Sequence, residues 1–230
     1  MNIFHFGKQL NIGDIDIFYS FILAIRIIIG TESLDFEIDT VGRLPRSIRR
    51  KIDLMTDWQM SFIIGHEYAH HYLGHLENSG ILNSNDRVSY IKSNSEYYTY
   101  HQNCEFEADS HSISEYYNYT QNRENLIDGA FLFFLFLDMY DRIEDYLFPK
   151  IFPSRTHPKP LERLWALRRT IDNKLGLTTE QLKSIINSNN NFLDGFLRDF
   201  LPYNVETIEM IGSVYLPSYK KKMLIDRLDI

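Results

Sequence analysis

The chain is predicted to fold as an α+β protein, mostly helical, with a small sheet and a helical C-terminal region. Three observations predict this. Leu34, Phe36 and Ile38 alternate with Asp35, Glu37 and Asp39, the period of a strand with one buried and one wet face. Leu54, Trp58, Phe62, Gly65, Ala69, Leu73 and Leu76 step by threes and fours, which draws one apolar stripe along a long helix. From Leu182 onward the pattern is again helical, interrupted at Asn189-Asn190-Asn191 and at Pro202. Residues 1–175 are expected to form the main domain and 176–230 a helical extension packed on it.

In chain order, Phe18 to Ile29 is an apolar run interrupted by Ser20 and Arg26, and reads as a buried helix. Pro45 marks a break before the long striped helix, on which the small Gly65 and Ala69 allow a neighbouring element to come close. Glu77 to Ser95 is polar and rich in Asn and Ser, so it reads as a loop or a lid that gates a site. A second helix is expected over Glu96–Tyr119 and a third over Asn125–Leu147, the latter apolar nearly all round through Phe131–Leu137 and therefore central. Pro153 and Pro158 bracket a short connection, and Leu161, Leu164, Trp165, Leu167 and Ile171 mark a fourth helix. Thr178 with Gln181 is a capping-box signal for another.

With 230 residues the chain can bury its own core without staples. A net charge of −7 gives no general pull toward nucleic acid or anionic membrane. The basic clusters Arg46–Arg49–Arg50–Lys51 and Lys220–Lys221–Lys222 read as solvated faces. The apolar runs Phe18–Ile29 and Ala130–Leu137 fall short of the ~20 residues a membrane span requires. Cys104 is the sole cysteine, which excludes an intramolecular disulfide and fits a reducing compartment; it reads as a small core residue. Met1 to Gly13 carries no secretory pattern, so a soluble cytoplasmic protein is expected.

The chemistry concentrates in His66-Glu67-Tyr68-Ala69-His70, an H-E-x-x-H motif inside the striped helix. Positions four apart share a helical face, so both imidazoles can point at one zinc ion, and Glu67 beside them can act as general base. A third ligand is needed. The spacing with Gly and His further along the same helix is out of register, since Leu73 and Leu76 stand where those residues belong and Gly74 and His75 fall one place late. Glu105-x-x-Ala108-Asp109 puts two carboxylates on one helical face, Glu105 to bind the metal and Asp109 to accept from the far nitrogen of a ligand histidine. Glu107 points elsewhere and reads as solvated. His71 and His75 form another i, i+4 pair, either a second metal site or polar residues that suit the helix end. His101 is a surface histidine, a substrate contact or a substitute ligand.

H-E-x-x-H followed by E-x-x-A-D resembles the Ste24/HtpX-type gluzincin peptidases, which carry a downstream Ser-Thr-His-Pro element and an Arg on the next helix. Here Ser154-Arg155-Thr156-His157-Pro158 is followed by Leu161-Glu162-Arg163-Leu164. The resemblance spans about Ser61 to Ala166 and implies a zincin-like core. It further implies that His66, His70 and Glu105 bind zinc, that Glu67 is the base and that Asp109 supports a ligand. His157 would stabilise the oxyanion or gate the metal, and Arg163 would organise that region. His157 stands just ahead of a helix, where a side chain can be presented rigidly. The membrane spans of that group are missing. The Lit-type phage-exclusion peptidases, cytoplasmic bacterial proteins that cleave a folded host translation factor, look similar around the H-E-x-x-H helix. The expected activity is hydrolysis of peptide bonds in a protein substrate, as a regulated bacterial or phage-defence protease. A zinc-stabilised module that binds a peptide or effector without cutting is the alternative.

Overall fold

The chain's own helical signals carry through to its architecture. The structure is a computed structural model that describes residues 1–32, 44–75, 91–93, 96–98, 100–115, 123–149 and 157–212. About 80% of what it describes is helical. The helices are α1 (Asn2–Phe6), α2 (Asp14–Ile29), α3 (Arg46–Tyr72), α4 (Tyr100–Glu115), α5 (Arg123–Leu147), α6 (Pro160–Thr170), α7 (Thr179–Gly195) and α8 (Val205–Glu209). A π-turn at Phe196–Phe200 and a 3-10 turn at Leu201–Tyr203 join α7 to α8.

The class is therefore all-helical and not α+β. Extended pairing among the described residues is confined to a ribbon of β1 (Ile91–Ser93) with β2 (Glu96–Tyr98) and one bridge, Glu32 with Gly212. Three-residue strands are too short to build a core-facing layer. The strand expected at Leu34–Ile38 and most of the lid expected at Glu77–Ser95 lie outside the described residues.

Two compact units divide the chain: residues 1–55 with 193–230, and residues 56–192. The turn after α6 and α7 itself are tied to α5 within the second unit. Asp128 accepts from the Leu177 backbone N–H at 2.6 Å, and Arg142 donates to Asn190 Oδ1 at 2.6 Å. Arg168 donates to the carbonyls of Ile171, Asp172, Leu175 and Leu177 and so holds the turn. The capping box of α7 forms as expected, Gln181 N–H to Thr178 Oγ1 at 3.2 Å and Thr178 N–H to Gln181 Oε1 at 2.8 Å. The interruption expected at Asn189–Asn191 is absent, because α7 runs on to Gly195 with Asn189 buried in its packed face. The regular helix ends at Gly195, and Pro202 lies in the 3-10 turn that follows the π-turn.

In the first unit, Phe18, Phe21, Phe196 and Phe200 cluster through ring contacts. Arg26, whose charge interrupts the α2 apolar run, is buried. It donates to Glu32 at 2.8 Å and to the carbonyls of Thr31, Thr207 and Gly212. Paired in this way, a buried arginine becomes a clasp for backbone that would otherwise be unsatisfied.

In the second unit α5 is central. Phe131, Leu132, Phe134 and Leu135 are all buried, while Phe133 and Phe136 are only partly so. Gly129 lets α5 touch α3: a Cβ there would lie 2.9 Å from the Trp58 backbone carbon. Phe62 of α3 packs on Phe133 and Phe134. The other face of α3 meets α4 as the small residues foretell, with Ala69 fully buried and Gly65 facing Ser112. Leu54 and Leu73, counted in the apolar stripe, are exposed instead. Helix α6 packs against both α4 and α5. No helix among the described residues is long and apolar enough to cross a membrane.

Candidate metal centre

Three helices of the second unit deliver the polar groups to one place. Helix α3 contributes the buried His66 and the partly buried His70, one turn apart. Helix α4 contributes Glu105 and Asp109, also one turn apart, and both are buried. Pro160 opens α6, and the Glu162 carboxylate accepts from the Lys159 backbone N–H at 3.1 Å, which fixes the first turn. Arg163 in that turn then points inward and is buried.

One ligand atom from each of His66, His70 and Glu105 can be chosen so that all lie within 4.8 Å of one another. His66 Nε2 and His70 Nε2 are 3.1 Å apart. Glu105 offers one oxygen to each ring, Oε2 at 3.5 Å from His66 Nε2 and Oε1 at 3.4 Å from His70 Nε2. Ligands held 2.0–2.1 Å from a tetrahedral ion stand about 3.3 Å from each other, so these separations match a shared ion. Glu105 Oε2 is buried without an aligned hydrogen-bond donor. Arg163 Nη1 at 3.0 Å balances its charge but sits out of line. A buried carboxylate oxygen left without an aligned donor, beside a ring nitrogen, is the group a cation would satisfy. The donor set of two imidazoles and a carboxylate fits zinc.

Behind the ligands stands a second layer. Asp109 Oδ1 is 2.9 Å from His66 Nδ1, and Arg163 donates to both Asp109 oxygens, at 2.8 and 2.7 Å. The Arg163 guanidinium also lies over the Phe134 ring, 4.9 Å from its centroid. With Asp109 as acceptor on Nδ1, the neutral His66 ring keeps its lone pair on Nε2, the atom that faces the other ligands.

These contacts set the charges of the metal-free centre. Burial disfavours a charged His66 ring, but the Asp109 and Glu105 carboxylates beside it outweigh burial and lift its pKa from 6.5 to about 9. Burial likewise opposes ionisation of Glu105, yet the His66 ring, Arg163 and His157 hold its pKa down at about 2, against 4.5 unperturbed. His70 is pushed below its ordinary value by burial and by the neighbouring His66. A stability window follows. The stabilisation linked to His66 is complete below pH 6.5 and is lost as pH rises through about 9; that linked to Glu105 is complete above pH 4.5 and is lost as pH falls through about 2. The melting temperature of the chelator-treated protein should therefore fall as pH rises from 6.5 through about 9 and as pH falls from 4.5 toward 2, with the depressed His70 adding a loss below pH 6.5, and Glu105→Gln should flatten the acid limb. A melting temperature that climbs from pH 6.5 to 9 would show that His66 is not held protonated.

Of the residues assigned to the site from sequence, His66, His70, Glu105, Asp109, Arg163 and His157 come together. Glu67 follows His66 on α3 and is exposed. The His157 side chain is 61% exposed and its Nε2 lies 3.4 Å from Glu105 Oε1, so the residue ahead of α6 does stand at the edge of the ligand set. His71 and His101 are exposed. Two residues read otherwise belong here. His75 is buried, with its Nδ1 3.0 Å from His70 Nδ1 and its Nε2 3.2 Å from Glu107 Oε2. His71 and His75 therefore do not pair, and Glu107 is not merely solvated. The signal was present in Gly74, one residue before His75. A glycine at the end of a helix turns the chain back onto its last turn.

Comparison with family models, curated proteins and solved structures returns no match to this chain.

Proposed function

We propose that the chain is a zinc-dependent endopeptidase of the gluzincin kind, and the convergence of His66, His70 and Glu105 within 4.8 Å carries that reading. Zinc, when bound by these residues, supplies a Lewis acid that polarises a carbonyl and makes a water molecule more acidic. The protein's part is positional. Asp109 and Arg163 hold His66 in the tautomer that leaves Nε2 free to ligate. Glu67, exposed and next to a ligand, takes the proton from water and later returns it to the leaving amine. His157, largely solvent-exposed and 3.4 Å from Glu105, swings to donate a hydrogen bond to the oxyanion of the tetrahedral intermediate. The motif order also supports kinship with the Ste24/HtpX-type peptidases. The likeness of the H-E-x-x-H helix to the Lit-type group extends the proposal to a cytoplasmic, phage-responsive protease.

The test is direct. Purified protein should contain one zinc per chain and cut a denatured protein; removing the metal with a chelator should stop the cleavage, and stoichiometric zinc should restore it. Stoichiometric zinc without proteolysis on denatured protein or whole lysate would instead favour the non-cutting binding module. Failure to take up zinc at all would end the metal reading.

A further inference from the structure

His66 and His70 are equivalent in the H-E-x-x-H motif, but their surroundings differ. The far nitrogen of His66 is held by Asp109 and Arg163, deep in the unit. The far nitrogen of His70 meets neither. What it meets is created by the way α3 ends. Gly74 adopts φ +70, and the backbone N–H groups of Gly74 and His75 donate back to the carbonyls of His71 and His70, at 3.1 and 3.0 Å. This pair of bonds is the Schellman arrangement, in which the second residue past the helix folds over the third residue from its end. That contact is usually apolar. Here it is imidazole on imidazole, His75 against His70, with ring centroids 5.1 Å apart.

We propose that His75, backed by Glu107, is a positioning residue that fixes the tautomer and ring plane of His70 as a metal ligand. The inference rests on the reading of His66, His70 and Glu105 as a metal centre. Only one assignment of protons suits a ligating His70. Its Nε2 faces His66 and Glu105 and must carry a lone pair, so Nδ1 carries the hydrogen and donates to His75 Nδ1 at 3.0 Å. His75 is then the Nε2–H tautomer and donates to Glu107 Oε2 at 3.2 Å. The chain of three residues ends on a carboxylate, as the chain from His66 ends on Asp109. Each ligand histidine thus has its own support, one buried and one leading to the surface, since the Glu107 side chain is 64% exposed. Solvent competes for an exposed carboxylate, so Glu107 contributes less than His75.

Zinc affinity, measured by competition with a chromophoric chelator, tests this together with the histidine ring signals of the zinc-loaded protein by 15N–1H correlation. Wild type should show His70 as the Nδ1–H tautomer. His75→Ala should weaken zinc binding about tenfold or more, the usual cost of losing a group that orients a ligand. His75→Asn keeps an acceptor where Nδ1 stood and should regain much of the affinity, whereas a space-filling role would be served better by His75→Leu. Glu107→Gln should give a smaller loss in the same direction. This substitution lies on the surface and leaves the fold in place, so it decides the matter if the His75 variants do not fold. Zinc affinity and His70 tautomer unchanged in Glu107→Gln and in every folded His75 variant would overturn the inference while the metal centre stood. Recovery in Leu but not in Asn would reduce His75 to packing and also overturn it. No zinc binding by wild type would remove both.

Discussion

Glu67→Gln is expected to bind zinc as wild type does and to lose about 10²–10⁴-fold in turnover, the range a general acid–base group contributes. The two halves of the result have separate causes. Glu67 is exposed and lies outside the buried contacts of His66, His70, Glu105, Asp109 and Arg163, so an isosteric amide disturbs neither the ligands nor the packing. Surface changes of that kind stay within about 0.5 kcal/mol of stability. An amide cannot accept the proton of an attacking water or hand it to a leaving amine, so the chemical step loses its base. Metal content, melting temperature and single-turnover cleavage of a denatured protein measure the three quantities separately. Turnover within about tenfold of wild type would fall short of the contribution a base makes and would remove Glu67 from the mechanism.

The candidate ligand set was legible in the sequence because helical spacing converts directly into geometry. Four residues make one turn, so His66 with His70, and Glu105 with Asp109, each share a face wherever the helices go. What spacing cannot encode is the approach of separate helices. That depends on Ala69 and Gly65 admitting α4 and on Gly129 admitting α5. The fold class failed for a related reason. The alternation at Leu34–Ile38 is a local pattern, and the described core is built from helical faces without it. His75 was left open between a metal site and a polar helix end, and Glu107 was read as solvated, because spacing within each helix does not show what a turn brings across to it. The left-handed Gly74 ends α3 and sends His75 back over His70. Asn189–Asn191 erred in the opposite sense. A polar run was taken as a break, yet Asn190 is the acceptor that ties α7 to Arg142.

Arg163→Met should destabilise the metal-free protein by about 3–5 kcal/mol, the cost of stripping the partner from a buried charge. In melting temperature that is on the order of 10 °C for a chain of this size. The guanidinium touches both buried carboxylates, at 2.7 Å from Asp109 and 3.0 Å from Glu105, and carries its charge at every pH the protein meets. Methionine keeps much of the volume and the contact with the Phe134 ring, so the loss is electrostatic rather than steric. Zinc changes the balance, since it neutralises Glu105 directly and leaves only Asp109 and His66 to pair with each other. The difference in melting temperature between wild type and Arg163→Met should therefore shrink when both are loaded with zinc. A second replacement separates stability from function. Removing the charge as well as its partner, in Arg163→Met with Asp109→Leu, eliminates the stranded carboxylate and should recover part of the lost stability. It also removes the acceptor on His66 Nδ1, so zinc binding should weaken by about 10–100-fold even as the protein regains its melting temperature. If Arg163→Met melts within about a degree of wild type without metal, the buried charges are not held by this arginine, and the proposed ordering of His66 by Asp109 and Arg163 falls with it.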